Sequence, residues 1–205
     1  MHQKWLKWVT EIQSIVQSGL TYSKDKYDIE RFEQLKNLSA QIISEYTEVE
    51  IEKVKDLLNN DYGYLTPKVD IRGAVIKNQK ILLVKESIDG CWSMPGGWAD
   101  INLSVSENII KEAKEEAGAN VIPKKIIAIQ DRNRHNKPVS LQSIYKIFVL
   151  CDLVDIKFEC NTETEESKFF DINDLPKLSI ERNTKEQIEM CFDALNEKSF
   201  ETIFD

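Results

Sequence analysis

The chain has 205 residues, 41% hydrophobic and 30% charged, with 27 Lys and Arg against 35 Asp and Glu, a net charge of -8 and a pI near 5.0. That composition suits one good core with a small satellite domain and argues against disorder. The acidic balance disfavours a nucleic-acid duplex as partner, and no run approaches the roughly 18 apolar residues that a membrane span needs. The opening MHQKWLKWVTEIQSIV shows neither an apolar signal core nor a small-residue cleavage site, so a cytoplasmic location is expected. Four cysteines without CxxC spacing read as reduced thiols, and two histidines are too few for most histidine-based metal sites or a strong Ser/His/Asp candidate.

Residues 3 to 58 carry helical periodicity. Trp5, Leu6, Val9, Ile12, Ile15 and Val16 form one apolar stripe; GLTYSKDKYD (19 to 28) interrupts it, and Phe32, Leu35, Leu38, Ile42 and Ile43 form another. A short third helix is expected around Val49, Ile51, Val54, Leu57 and Leu58. NNDYGYLTPKVD (59 to 70) is the best domain boundary, which separates a helical domain at 1–64, a small domain or dimer arm, from a second domain at 65–205. There, 71 to 87 reads as two strands with a turn at Lys77 to Gln79. A helix over 105 to 117 follows, then strands at 121 to 131, 141 to 153 and 157 to 160, and a last helix after Asn183 with Ile188, Cys191, Phe192 and Leu195. The second domain is therefore expected to be mixed α/β, without internal repeats.

The stretch WSMPGGWADINLSVSENIIKEAKEEAGA (92 to 119) asks for more than packing. Ser104 and Glu107 have capping-box spacing, and Gly118 suits the left-handed residue that ends a helix. Val105, Ile109, Ile110, Ala113 and Ala117 share an apolar face. Glu112 and Glu116 stack one turn apart, with Glu115 on the same side, so three carboxylates are expected to converge. Lys111 and Lys114 point to other faces. Like charges this close, near the C-terminal end of a helix, repel unless a cation joins them; Mg²⁺ or Mn²⁺ would suit their oxygens. A solvated helix face is the competing explanation. Against it stands Pro95-Gly96-Gly97, a tightly shaped loop whose bare backbone can lie close to a ligand. Together they suggest a phosphate and metal site.

GGWADINLSVSENIIKEAKEEAGA resembles the Nudix box: Gly97 is its first glycine, Glu112 the glutamate of its Arg-Glu pair, Glu115 and Glu116 its paired glutamates and Gly118 its last glycine. Leu103 stands where an early glutamate belongs, Lys111 replaces the arginine, and Ala113 and Ala119 are small for aliphatic positions. GLTYSKDKYD, TPKVDIRGAV, WSMPGGWAD, QDRNRHNKP and EESKFFDINDLP occur in an order similar to the Nudix subgroup with an added N-terminal domain. The resemblance implies an α/β; Nudix-like α/β/α sandwich with mixed sheet behind a helical domain, and a homodimer. It also implies Mg²⁺ or Mn²⁺ on Glu112, Glu115 and Glu116. The implied activity is hydrolysis of a nucleoside diphosphate linked to another group, CDP-choline first and ADP-ribose or a nucleotide sugar next. A nucleoside-triphosphate hydrolase and a nucleotide sensor without turnover, motivated by Leu103 and Lys111, stay open.

Candidate roles follow. Glu166, before KFFDI, resembles the family's late glutamate and is a candidate base, with Glu163 and Glu165 as rivals. Arg72, Arg132 and Arg134 are candidate phosphate clamps, and Gly96 and Gly97 offer backbone contacts. His135 is a candidate substrate contact. Trp92 is assigned to the core and Trp98 to the border of the substrate site. Tyr22 and Tyr27 are candidates for reaching a site from the N-terminal turn, with packing between helices as the alternative.

Overall fold

The computed structural model describes residues 3–47, 49–59, 63–197 and 199–205, divided into two compact units, Met1–Thr66 and Pro67–Asp205. The first unit holds α1 (Gln3–Tyr22), α2 (Lys26–Thr47) and α3 (Ile51–Asn59). Its interior is built from Val9, Val16, Ala40, Ile43 and Val54, and Trp5 stacks on Tyr46 at 4.9 Å. The break between α1 and α2 has a local cause. Asp25 Oδ1 accepts from the backbone N–H of Tyr27 (2.9 Å) and Asp28 (3.1 Å), which satisfies donors that open α2. Asn60, Asp61 and Tyr62 of the expected boundary lie outside the described residues.

The second unit is a mixed sheet between helices. Its strands are β1 (Lys68–Lys77), β2 (Lys80–Glu86), β3 (Trp92–Ser93), β4 (Ala119–Asp131), β5 (Ile144–Ile156), β6 (Thr164–Asp171) and β7 (Ile203–Phe204). Their order is β3-β2-β1-β5-β4-β7, with β6 paired to β2. β1 runs parallel to β5 and antiparallel to β2. The turn between β1 and β2 places Asn78 and Gln79 at positive φ, the conformation a two-residue hairpin requires. The expected strand at 157 to 160 is irregular; pairing along β2 is taken by Thr164–Asp171 instead.

Alternation along the strands divides the core in two. Ile71 and Val75 of β1 and Val149 and Cys151 of β5 pack with Ile109, Ala113 and Ala117 of α4 (Val105–Ala117). Ala74, Phe148 and Leu150 belong to the other cluster, with Ile188, Cys191 and Phe192 of α6 (Lys185–Asn196). A short α5 (Arg132–His135) follows β4. Ile110 and Leu195 were expected in the helix cores but are substantially exposed. Each sits beside the buried stripe of its helix, and Asn108 and Ala194 are buried near them. All four cysteines are free thiols, and no helix among the described residues is long and apolar enough to cross a membrane.

α4 has the expected capping box between Ser104 and Glu107 and ends on Gly118 at φ 64°. An added Cβ at Gly118 would lie 2.2 Å from the Lys157 carbonyl oxygen, so both conformation and space require glycine. Gly118→Ala is expected to lower unfolding free energy by about 2 kcal/mol or more, measured by urea denaturation.

Candidate active site

The loop after β3 is laid against β1 by backbone bonds: Ile71 N donates to Gly97 O (2.8 Å), Gly73 N to Pro95 O (2.8 Å) and Ala99 N to Val69 O (2.9 Å). Gly96 sits at φ 135°, where an added Cβ would be 2.0 Å from Ile71 O. Its N–H donates to Glu116 Oε2 at 2.7 Å, so the loop and α4 are joined at the carboxylate itself. Burial pushes the Glu116 carboxyl up to about 7; Arg72 and the Gly96 N–H act against that rise, while Glu86 and Glu112 add to it.

Glu116 and Gly96 help line a cavity of about 650 Å³. On its floor, Asp70, Arg72 and Lys146 form a buried cluster. Asp70 Oδ1 accepts from Arg72 Nε (3.0 Å) and Lys146 Nζ (2.7 Å), and Arg72 Nη2 donates to Asp70 Oδ2 (2.8 Å). Asp70 and Lys146 are direct partners across the parallel β1 and β5 pair. Although burial alone would raise it, the Arg72 and Lys146 cations hold the Asp70 carboxyl below its usual range.

Arg132 also lines the cavity, with Nη1 donating to Pro138 O and Nη2 3.8 Å from Glu181. Trp98 lines it and is half exposed, whereas Trp92 packs edge-on to Phe170 at 4.6 Å in the core. Gly97 lines it too, its α-carbon side facing Glu112 Oε2, 3.6 Å from where a Cβ would stand.

Several candidates go elsewhere. His135 Nε2 is 2.8 Å from Asp205 Oδ1 and does not line this cavity; Arg134 lies beside Asp131. Glu166 is bound by Lys168 and Lys85, and the Lys168 bond chiefly holds its carboxyl below the usual range. Glu163 lines the cavity instead. Asn161 places it: Nδ2 donates to Glu115 O (2.9 Å) and Oδ1 accepts from Glu163 N (2.9 Å), which ties this loop to the end of α4. Tyr22 and Tyr27 are exposed residues of the first unit.

Among the charged lining residues, Glu86 and Lys146 have no counterpart in the expectations drawn from the sequence. Glu86 is buried, accepts from Ser93 Oγ and lies 3.0 Å from Arg182 Nε. Lys146 is 1% exposed. A lysine between Ile144 and Phe148 on one face of a strand was a readable signal, but only strand pairing sets Asp70 beside it. Glu86, at the end of β2, offered no such signal.

The three α4 carboxylates do not meet at one point as expected: Glu112 and Glu115 gather on Lys111, while Glu116 turns to the Gly96 N–H. Lys111 Nζ reaches Asp100 (2.8 Å), Glu115 (3.3 Å) and Glu112 (3.4 Å), since its long side chain folds back over the helix rather than keeping to another face. Among the described residues, no three His, Cys, Asp or Glu side chains are close enough to hold an ion. The donor chemistry nevertheless fits a hard divalent cation. Glu116 is a buried carboxylate made less acidic by burial, with Glu86 and Glu112 adding negative charge around it, and all their donor atoms are oxygen. Lys111 has a carboxylate partner although position 103 is Leu. Lys111 finds its carboxylate three residues earlier, while Asn108 Nδ2 holds the Leu103 carbonyl at 3.2 Å.

Residues 67–191 match the NUDIX domain model, and residues 3–58 match the model described as Nudix_N, a UDP-X-like, N-terminal oligomerisation domain. The chain belongs to the Nudix hydrolase family. It is 45% identical over 202 residues to YjhB of Bacillus subtilis, a candidate ADP-ribose pyrophosphatase by name, covering 98% of this chain and 97% of that protein. The crystal structure of an ADP-ribose pyrophosphatase from Streptococcus suis is 44% identical at a TM-score of 0.64, covering 68% of this chain and all of that one. A UDP-X diphosphatase structure is 31% identical at a TM-score of 0.64, with 98% of both chains covered. This Nudix protein is therefore a pyrophosphatase that resembles ADP-ribose pyrophosphatases and UDP-X diphosphatases.

The Nudix carboxylate Glu116 also sets a stability trade. A carboxyl whose folded value is raised contributes stability at low pH that is lost as pH climbs from its unfolded value, 4.5, towards about 7. Glu116→Gln, in metal-free protein, is expected to melt higher than the parent, with the gap wider at about pH 8 than at about pH 5, by scanning calorimetry.

Proposed function

We propose that this Nudix hydrolase cleaves the diphosphate of a nucleoside diphosphate linked to a second group, with Mg²⁺ or Mn²⁺ held by Glu116 at the cavity wall together with Glu112 and Glu115, whose side chains would turn from Lys111 to the ion. One observation carries the reading: a single cavity brings carboxylates Glu116, Glu86 and Glu163 to face cations Arg72, Lys146, Arg132 and Arg182. Such a pairing of acids and bases suits a metal and a polyanion bound together. ADP-ribose moves ahead of CDP-choline, because two of the relatives above carry the former in their names. A nucleotide sugar follows from the likeness to the UDP-X diphosphatase.

The roles are distributed accordingly. Three of the five Arg72 N–H donors are committed to Asp70 and the Met94 carbonyl, which locks the guanidinium plane and leaves two for phosphate oxygen. Arg132, held by the Pro138 carbonyl, is a second clamp. The Gly96 and Gly97 backbone shapes the wall beside Glu116, and the exposed Trp98 ring borders the mouth. Glu163 takes the part expected of Glu166, accepting the proton of the attacking water. The divalent ion, when bound, neutralises phosphate charge and lowers the pKa of that water. Water attacks one phosphorus and the bridging P–O bond breaks, which yields a nucleoside monophosphate and a phosphorylated second group.

The N-terminal unit supports a homodimer. Its match is described as an oligomerisation domain, and Trp8, Ile15, Leu38 and Tyr46 are exposed there. A cytoplasmic location accompanies this reading.

Product analysis with Mg²⁺ or Mn²⁺ is expected to show AMP and ribose 5-phosphate from ADP-ribose, or CMP and phosphocholine from CDP-choline, with triphosphates spared. Glu116→Gln is expected to lower kcat on the order of a hundredfold or more. Preference for triphosphates would overturn the substrate class, and nucleotide binding without product would favour a sensor. Multi-angle light scattering is expected to give twice the chain mass; a monomer at assay concentration would remove the dimer.

A further inference from the structure

The mechanism above leaves one buried cation unassigned. Lys146 stands on the face of β5 that carries Phe148 and Leu150 into the α6-side core, yet its ammonium lines the cavity. Burying such a charge costs several kcal/mol unless it is paired. Here the pairing is uneven. Asp70 is already satisfied by Arg72 through two parallel bonds, at 3.0 and 2.8 Å, and Lys146 adds a second cation to the same carboxylate.

The cluster therefore keeps one net positive charge. The carboxylates Glu116 and Glu86 bear on Arg72, whereas the groups that bear on Lys146 are Arg72, Asp70 and Arg132. Burial, with Arg72 beside it, pulls the Lys146 ammonium down to about 8, the response of a cation short of negative neighbours. Asp70 Oδ1 is the one hydrogen-bond acceptor found for its Nζ among the described residues, although an ammonium carries three N–H donors. One cation already neutralises the Asp70 carboxylate. Two cations on one carboxylate, at the floor of a cavity, leave positive charge for an anionic ligand to complete.

We propose that Lys146 is a substrate-binding residue, its ammonium aimed by Asp70 to donate to an oxygen of the substrate diphosphate. The assignment rests on the linked-diphosphate reading of this cavity, and it makes Asp70 a positioning residue. Arg72 then holds its plane against Asp70 while Lys146 supplies a point charge, which tolerates different phosphate orientations where a guanidinium fork does not.

The test measures binding apart from turnover. ADP-ribose and inorganic pyrophosphate are titrated calorimetrically, with EDTA present, into wild type, K146M, K146Q and K146R, and each variant's melting temperature is recorded. K146M and K146Q are expected to weaken ADP-ribose binding about tenfold or more, and K146R to stay within about threefold of wild type. K146M is expected to melt no lower than wild type, since an unevenly paired buried charge has been replaced by an apolar chain of similar length. K146Q keeps a neutral N–H donor at the position and decides the matter should K146M not fold. A folded neutral variant that binds ADP-ribose like wild type overturns the assignment, as does wild type that binds neither probe. Turnover of a linked diphosphate by wild type, with binding indifferent to position 146, would sink the Lys146 assignment alone. Binding that depends on Lys146 without turnover of any linked diphosphate supports the assignment and sinks the substrate reading alone.

Discussion

The contact on which the site depends is backbone on backbone: Gly96 pressed against Ile71. There is no room for a Cβ, because the Ile71 carbonyl would lie 2.0 Å away. This closeness lets the Pro95–Gly97 loop run as a short extra ribbon along β1, and the Gly96 N–H then fixes Glu116. Arg72, the next residue on β1, thereby comes within electrostatic reach of a carboxylate on a helix packed against the sheet. A side chain at position 96 would push the loop outward and separate the acidic wall from the basic floor.

Charges around that contact are arranged at a cost to stability. Glu116 is buried in a place that raises its pKa, and Lys146 in one that lowers its own. Both shifts mark charged forms that the fold by itself does not favour, the usual condition of groups that meet a charged ligand. Arg72 does not offset the burial of Glu116, nor Asp70 that of Lys146: a further cation would answer Glu116, and a further anion would answer Lys146. A metal-bound diphosphate, as proposed above, would satisfy both at once, so ligand binding is expected to relieve strain that the free protein carries.

The Nudix box is usually read as a row of positions, but the departures here make sense only as contacts. Lys111 stands in for arginine and pairs with Asp100, a carboxylate three residues before Leu103. The same lysine also spans Glu112 and Glu115, holding their charges together. Loop 100–104 is fastened meanwhile by Asn108, a residue with no apparent importance in the linear pattern.

Local chemistry was legible along the chain because it is decided over short distances. The break before α2, the capping box of α4, the left-handed Gly118 and the β1–β2 turn each follow from residues within about four positions of one another. The carboxylate helix behind a double glycine likewise announced a Nudix domain. What the linear order could not decide was which charges meet. Asp70 and Lys146 are 76 positions apart and become neighbours only through parallel pairing of β1 with β5. Glu163 lines the cavity in place of Glu166 because Asn161 ties its loop to α4, while Lys168 and Lys85 draw Glu166 away. Glu86 is brought in by the end of β2. Pattern and spacing determined the elements and the acidic helix; the tertiary structure decided the cation floor and the opposing carboxylates, since electrostatic partners depend on distance through space.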